Sequence, residues 1–260
     1  MKALNLIVIL CFITSVKLFA QTPQAIEADL LKSFKKIEYW DEQQGKGNEN
    51  AGDSLIKAND AFSNKLKRYT ETYPYTINLP FNSLKKAQLD IFTSADGLFR
   101  IYSWDTWTGG TMHICANVLQ YKAGDKTKSS LMNNPGDGGA PFYSNLYTFK
   151  AGDKTYYFGI YGVIESSRYA GTGIRLFAIQ NGVLNNDVKI IKTQSGFHNE
   201  IFYEYDFGSV VDLPFEKRPT ITFDQRTQTI RIPLVNAKGQ VTAKFINYKF
   251  NGQYFEKIKS

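Results

Sequence analysis

The chain is poor in the residues from which most metal and thiol sites are built: 2 cysteines and 2 histidines in 260 residues. Cys11 lies in an N-terminal apolar run, so removal of that run as a leader would leave Cys115 without an internal disulfide partner. His113 and His198 stand far apart in the chain, without the short spacing of zinc ligands. The sequence therefore predicts no disulfide framework, no metal site and no cofactor.

The sequence also lacks the motifs of common catalytic classes. It contains neither the Gly-x-Ser-x-Gly elbow of the α/β-hydrolases nor the Gly-x-x-x-x-Gly-Lys-Ser/Thr loop that binds phosphate. No motif resembles that of a family with an assigned activity. These absences favour a non-catalytic protein, and no catalytic residue is assigned.

The charge pattern excludes one class of partner. The formal net charge is +7, but Lys and Arg form no cluster and no basic stripe with interleaved aromatic residues. After the first twenty residues, no apolar stretch approaches the length of about 18 residues expected of a membrane span. We expect no nucleic-acid partner and no integral membrane segment after leader cleavage. The oligomeric state is not indicated.

Residues 1–20 have the pattern of a secretory signal peptide. Lys2 supplies a positive start, an apolar run covers 4–16, and the small residue Ala20 precedes Gln21. The pattern resembles a bacterial export signal. It predicts cleavage before Gln21 and a periplasmic or secreted protein of the bacterial envelope.

Residues 21–80 carry apolar residues at helical spacing. The two stretches are separated by a polar, glycine-bearing connection at residues 41–52. An apolar stripe on each helix must be buried against the other helix or against the rest of the chain. We predict an N-terminal helical hairpin and linker whose stripes are Ile26, Leu30, Phe34 and Ile37 on one helix and Leu55, Ala58, Phe62, Leu66 and Tyr69 on the other.

Residues 81–260 read as an all-β domain of consecutive antiparallel hairpins. Strand-like runs alternate with turn signals, including Asn181-Gly182 and Asn251-Gly252, both expected to form two-residue hairpin turns. The string aromatic-Lys-Ala-Gly-Asp-Lys-Thr occurs at 121–127 and again at 149–155, as if one strand end and tight turn were used twice. A propeller-like arrangement is slightly preferred to a β-sandwich.

The richest candidate site is the tip of a predicted hairpin that spans residues 96–121. An indole can stack on a ligand, a carboxylate and hydroxyls can exchange hydrogen bonds, and paired glycines permit close backbone approach. A second polar loop carries Arg168, whose guanidinium fork suits an anion. The alternative interpretation is structural, with indoles that pack over the sheet and a hydrogen-bonded histidine. The candidate ligand-binding residues are Trp104, Asp105, Trp107, Thr111, His113, Arg168 and Tyr169.

Three functions remain open from the sequence. The preferred one is an exported binding or assembly module for a glycan, peptide or protein partner. The first alternative is an envelope hydrolase; its candidate carboxylates are Asp105, Glu165 and Glu200, and its candidate bases are His113 and His198. The second alternative is a structural surface or matrix component that assembles through its edge strands.

Overall fold

The computed structural model describes residues 21–132, 140–214, 217–218 and 220–259. The leader predicted for residues 1–20 lies outside these ranges. The protein is mainly β, with 44% strand, 26% helix and antiparallel sheets, which confirms the predicted class. Within the described ranges, no helix combines the length and apolar character needed to cross a membrane.

Two long helices form the predicted hairpin: α1, Pro23–Gly45, and α2, Ala51–Thr72. The Thr22 side chain accepts a hydrogen bond from the Ala25 N–H at 3.2 Å, and Pro23 occupies the first helical position, so the sequence specifies the start of α1. Both apolar stripes are buried, and the Phe34 and Phe62 ring centroids lie 4.8 Å apart. The stripes therefore meet as predicted.

Two short helical segments connect the hairpin to the sheets. They are a 3-10 turn at Pro74–Asn78 and a short helix, α3, at Asn82–Lys86. The helix α3 lies inside the range predicted to be all β. The proposed division of the chain at residue 80 stays a prediction, because the helical hairpin and the first sheet share one apolar core.

The first sheet is a meander in the order β1-β2-β3-β4. One of its faces packs against the helices through Tyr102, Trp104 and Val118. The opposite face carries Phe99 and Ile101 and packs against the second sheet. The strands are β1, Asp90–Thr93; β2, Phe99–Asp105; β3, Cys115–Ala123; and β4, Lys126–Leu131.

The second sheet has the order β11-β7-β6-β5, with β8 paired to the end of β7. Its central strand β6 is buried on both faces, because residues 156–161 form a continuous apolar run. Tyr157 faces the first sheet and Phe158 faces the third. The strands are β5, Phe142–Ala151; β6, Lys154–Ile164; β7, Tyr169–Gln180; β8, Val183–Asn185; and β11, Glu200–Asp206.

The third sheet has the order β10-β9-β15-β14-β13-β12. Its strands β9 and β15 run parallel and join segments distant in the chain, so the sheet is more than a series of consecutive hairpins. The described core thus has four layers: the helices and then the three sheets in turn. The strands are β9, Ile191–Thr193; β10, Gly196–His198; β12, Thr222–Asp224; β13, Thr229–Val235; β14, Val241–Phe250; and β15, Phe255–Ile258.

The repeated string forms the same turn twice. In each copy an Ala–Lys pair closes a two-residue hairpin, with Gly124 (φ 65°) or Gly152 (φ 61°) at the first turn position. Only glycine adopts a positive φ there without strain, which is the requirement of a type II′ turn. The prediction of one local design used twice is confirmed.

The two Asn-Gly signals have different outcomes. Asn181 and Gly182 both have positive φ, 51° and 71°, and link β7 to β8 as predicted. The Asn251-Gly252 prediction was wrong in length, because Phe250 and Phe255 form the last strand pair and leave a four-residue loop. The Asn251 side chain accepts hydrogen bonds from the two backbone N–H groups of Gln253 and Tyr254, which stabilises this wider turn.

Candidate functional site

A cleft of about 510 Å³ opens where α1 meets the ends of β2 and β3. Its size is in the range of small-ligand sites, about 300–1,000 Å³. Its described lining contains no Lys and no Arg, although the chain carries a net charge of +7. We call it the acidic cleft, after five lining carboxylates: Glu38, Asp41, Glu42, Asp90 and Asp105.

Asp105 organises the loop that forms one wall of the cleft. One of its carboxylate oxygens accepts the Trp107 backbone N–H at 2.8 Å, and the other lies 2.5 Å from His113 Nδ1. Because a carboxylate can only accept, the proton of this hydrogen bond belongs to Nδ1. The Nε2 atom of a neutral His113 is then an acceptor, and it has no hydrogen bond to a described residue.

The backbone fixes the same loop from the other side. The His113 N–H donates to the carbonyl of Ile164, at the end of β6, at 2.9 Å. Thr106 N–H donates to the Ile114 carbonyl at 2.8 Å, which closes the loop on itself. The side chain of His113 is 41% exposed and that of Asp105 is 20% exposed, so the pair is held in place and still open to the cleft.

The two tryptophans of the predicted tip have different environments. Trp104 belongs to β2, is only 1% exposed, and its indole N–H donates to Asn59 Oδ1 of α2 at 3.1 Å. Its ring packs edge-on against Phe62 with centroids 5.0 Å apart. Trp107 lies in the loop with φ 57° and is 42% exposed. Trp104 thus fixes the helices on the sheet, and Trp107 presents its indole to the cleft.

Burial affects the acidity of Asp90, which lines the cleft. It raises the pKa of Asp90 above the ordinary value of 3.8. Asp90 is an exposed residue by surface area, but its carboxylate lies on a concave wall where protein atoms replace part of the surrounding water, which explains the direction of the shift.

Cys115 is 6% exposed and lies opposite Asp105 in the strand pairing. Burial, together with the negative charges of Asp105 and Asp90, raises the pKa of its thiol well above the ordinary range. The thiol is therefore protonated at neutral pH and is not an activated nucleophile.

The acidic cleft brings together some of the predicted ligand-binding residues and leaves out the rest. Trp104, Asp105, Trp107 and His113 line it. Thr111 is exposed elsewhere on the same loop. Arg168 and Tyr169 lie at the β6–β7 turn, both exposed, with the guanidinium 5.5 Å from the ring centroid. Their role in binding stays a prediction.

The other residues considered for a hydrolase do not line the cleft. Glu200 accepts two hydrogen bonds from Arg175, at 2.9 and 3.1 Å, and one from the Tyr161 hydroxyl. His198 contacts the Ser195 hydroxyl at 2.9 Å in the β9–β10 turn region. Glu165 lies at the β6–β7 turn. Of that set, the cleft contains only Asp105 and His113.

Sequence reasoning missed the acidic residues contributed by α1 and β1. Glu38, Asp41 and Glu42 follow the i, i+3, i+4 spacing that places side chains on one face of a helix. That spacing was a visible signal of an acidic face. The contact of this face with the β2–β3 loop depends on how α1 packs on the sheet, which local spacing does not report.

A second, more apolar cavity of about 330 Å³ adjoins the acidic cleft and shares Phe142 and Ile164 with its wall. Among the described residues, no group of three or more His, Cys, Asp or Glu side chains is arranged to hold a metal ion. Comparison of the chain with family models, curated proteins and solved structures finds no match.

Proposed function

We propose that the protein is an exported, non-catalytic binding module whose acidic cleft takes a segment of a peptide or protein partner. The observation that carries the proposal is the convergence of Asp105, Trp107 and His113 with the α1 carboxylates in one cavity of ligand size. Export is supported by the signal-like pattern of residues 1–20.

A preorganised wall supports binding. The hydrogen bonds of Asp105 and the bridge from His113 to Ile164 hold the loop in one conformation without a ligand. Binding to a preformed site avoids part of the entropy cost of ordering a loop. The half-exposed indole of Trp107 adds a large, rigid contact area of the kind enriched in binding hot spots.

A binding role is favoured over hydrolysis by the distribution of the candidate catalytic groups. Glu200 accepts hydrogen bonds from Arg175 and Tyr161, and His198 lies on the third sheet, away from the Asp105–His113 pair. The protonated thiol of Cys115 adds no nucleophile to the Asp105–His113 pair.

The propeller-like arrangement also remains a proposal. Its support is the succession of antiparallel sheets that pack face to face through separate apolar clusters, as consecutive blades do. The parallel β9–β15 pair is the feature that a regular blade does not require.

The binding proposal is tested with the mature chain, beginning at Gln21, and a displayed library of random peptides. Peptides selected by the wild-type protein are expected to lose binding to Trp107→Ala, because that substitution removes the exposed indole of the cleft. The matched control is Phe197→Ala, which removes a similarly exposed aromatic ring from the third sheet, 47% exposed against 42% for Trp107. Undiminished binding to Trp107→Ala would contradict the proposal, and so would selection of glycans alone in a parallel glycan array.

A further inference from the structure

Most carboxylates of the acidic cleft have no partner within the described part of the protein. The side-chain carboxylates of Glu38, Asp41 and Asp90 make no hydrogen bond or ion pair with a described residue. Glu42 reaches Lys46 at 3.8 Å, but both side chains are about two-thirds exposed, 67% and 66%. A pair so exposed contributes little. The negative charge that converges on the cleft is therefore left without a counter-charge.

Two carboxylates on α1 and α2 outside the cleft have cationic partners. Asp29 lies 2.9 Å from Lys65 Nζ and accepts the Tyr69 hydroxyl, and these hydrogen bonds lower its pKa. Glu71 accepts from Lys67 at 3.0 and 3.1 Å. Acidic groups on the helices can thus be neutralised within the fold, whereas Glu38, Asp41 and Asp90 line the cleft without a cationic partner among the described residues. Other unpaired carboxylates, such as Glu49 and Asp60, lie on exposed surface.

The remaining polar groups of the cleft are also rich in acceptors. The Nδ1–H of His113 is already used by Asp105, which leaves Nε2 as the acceptor of the neutral imidazole. Among the described lining residues, Gln88 and Trp107 bring an amide or indole N–H donor, while the indole N–H of Trp104 is already used by Asn59. A ligand group that supplies several N–H donors and a positive charge would match this set.

Cys115 adds an uncharged and only weakly polar group to the lining of the cleft. Its side chain is more than nine-tenths buried, lines the cleft, and makes no hydrogen bond with a described residue. Its protonated sulfur is a weak acceptor as well as a weak donor. It therefore suits contact with the N–H groups or the alkyl stem of a ligand that enters from the carboxylate side.

Aromatic rings complete the set of groups that recognise an organic cation. The indole of Trp107 stands at the cleft with 42% of its surface exposed, and Phe34 and Phe142 also line the cavity. A cation over the face of an indole is attracted by the ring quadrupole. The aromatic lining also favours the alkyl stem of a long side chain over a small hydrated metal ion.

From these observations we infer that the acidic cleft binds a Lys or Arg side chain of the partner, with the cation among Glu38, Asp90 and Asp105 and the alkyl stem against Trp107. This inference rests on the proposed binding function and names the chemistry of its ligand. It assigns the selectivity of the cleft to charge.

The test uses capped tripeptides, acetyl-Gly-X-Gly-amide, in which X is Lys, Arg or one of their uncharged counterparts, norleucine and citrulline. Binding to the mature chain is followed through the Trp107 indole N–H resonance in NMR titrations. We expect the Lys and Arg peptides to bind at least about tenfold more tightly than the uncharged pair, and added salt to weaken them, because salt screens the attraction.

A pair of double variants tests the carboxylates. The double variant with Glu38→Gln and Asp90→Asn removes two charges from the cleft. It is expected to weaken binding of the Lys peptide about tenfold. Glu49→Gln with Asp60→Asn removes the same two residue types from exposed positions elsewhere and is expected to leave its binding unchanged. Thermal melts of both variants verify that each remains folded.

The outcomes separate this inference from the function on which it rests. If the uncharged peptides bind the cleft as tightly as Lys and Arg, or if the cleft variant binds like its control, the cation inference is overturned and the binding function stands. If no tripeptide shifts a cleft resonance and the peptide library also yields no ligand dependent on Trp107, both are overturned.

Discussion

Glu200 and Asp90 are both carboxylates on β-strands, and they differ in how their charge is matched. Glu200 accepts two hydrogen bonds from Arg175 and one from the Tyr161 hydroxyl, while the guanidinium lies 5.3 Å from the centre of the Tyr161 ring. Asp90 has no such partner, and burial raises its pKa. One carboxylate is neutralised within the fold and the other is not.

The difference separates a stabilising role from a binding role. A half-buried charge that is paired and hydrogen-bonded costs the fold little, and removal of its partner is expensive. An unpaired carboxylate on a concave wall is unfavourable in the free protein, and a cationic ligand relieves that cost. The unpaired carboxylates of the acidic cleft therefore lower the stability of the free protein and favour the binding of a cation, a combination that is common at functional sites.

The largest effect is expected from Arg175→Met, which breaks the paired side of this comparison. The substitution leaves Glu200 without its counter-charge. Because the two side chains are about a quarter exposed, 23% and 27%, we expect the free energy of unfolding to fall by about 2 kcal/mol, less than the 3–5 kcal/mol of a fully buried pair. Urea unfolding measures it. The control is Lys189→Met, which removes an ion pair with Asp187 whose side chains are both more than half exposed. It should change the free energy of unfolding by less than about 0.5 kcal/mol. Equal losses in the two variants would contradict the contrast.

A smaller effect of opposite sign is expected from Asp90→Asn. Since the native pKa of Asp90 is raised, the native state holds this proton more tightly than the unfolded chain, and stability falls as the pH rises from 3.8 through the native pKa. The variant should be more stable than the wild type at pH 7, by less than about 1 kcal/mol because the group is solvent-accessible, and the gain should vanish at pH 3.

Urea unfolding at both pH values provides this measurement, with Asp60→Asn as the control at an exposed position on α2. A gain for Asp90→Asn that grows toward low pH would show that the carboxylate is stabilised in the fold. That result would remove the contrast with Glu200.

Local patterns in the sequence were sufficient for the two long helices and for most of the predicted turns, but not for α3. The stripes of α1 and α2 appear as helical spacing, and the turns at Gly124 and Gly152 appear as a repeated string, because each depends on residues close together in the chain. The parallel β9–β15 pair joins residues that are far apart in the chain, so no pattern of neighbouring residues predicts it.

The candidate site was predicted in part for the same reason. The sequence grouped Trp104 with Trp107 at one tip, but β2 continues through Trp104, which therefore shares the buried face of Tyr102 two residues earlier. The end of the strand decides which indole is buried, and strand ends are specified weakly by sequence. The acidic face of α1 was visible, whereas its packing partner was not.

The smallest effect on stability is expected from Trp107→Gly, and it sharpens the comparison by separating stability from binding. Trp107 has φ 57°, a conformation that costs a residue with a Cβ about 1–2 kcal/mol and costs glycine almost nothing. The greater freedom of glycine in the unfolded chain offsets most of this gain. Urea unfolding should therefore show a stability equal to the wild type or higher by no more than about 0.5 kcal/mol, while the same protein loses binding of the Lys tripeptide. Trp107→Ala keeps the Cβ and isolates the effect of the backbone. A loss of more than 1 kcal/mol in both variants would place the indole in the core, and the strained loop would then serve the fold instead of the ligand.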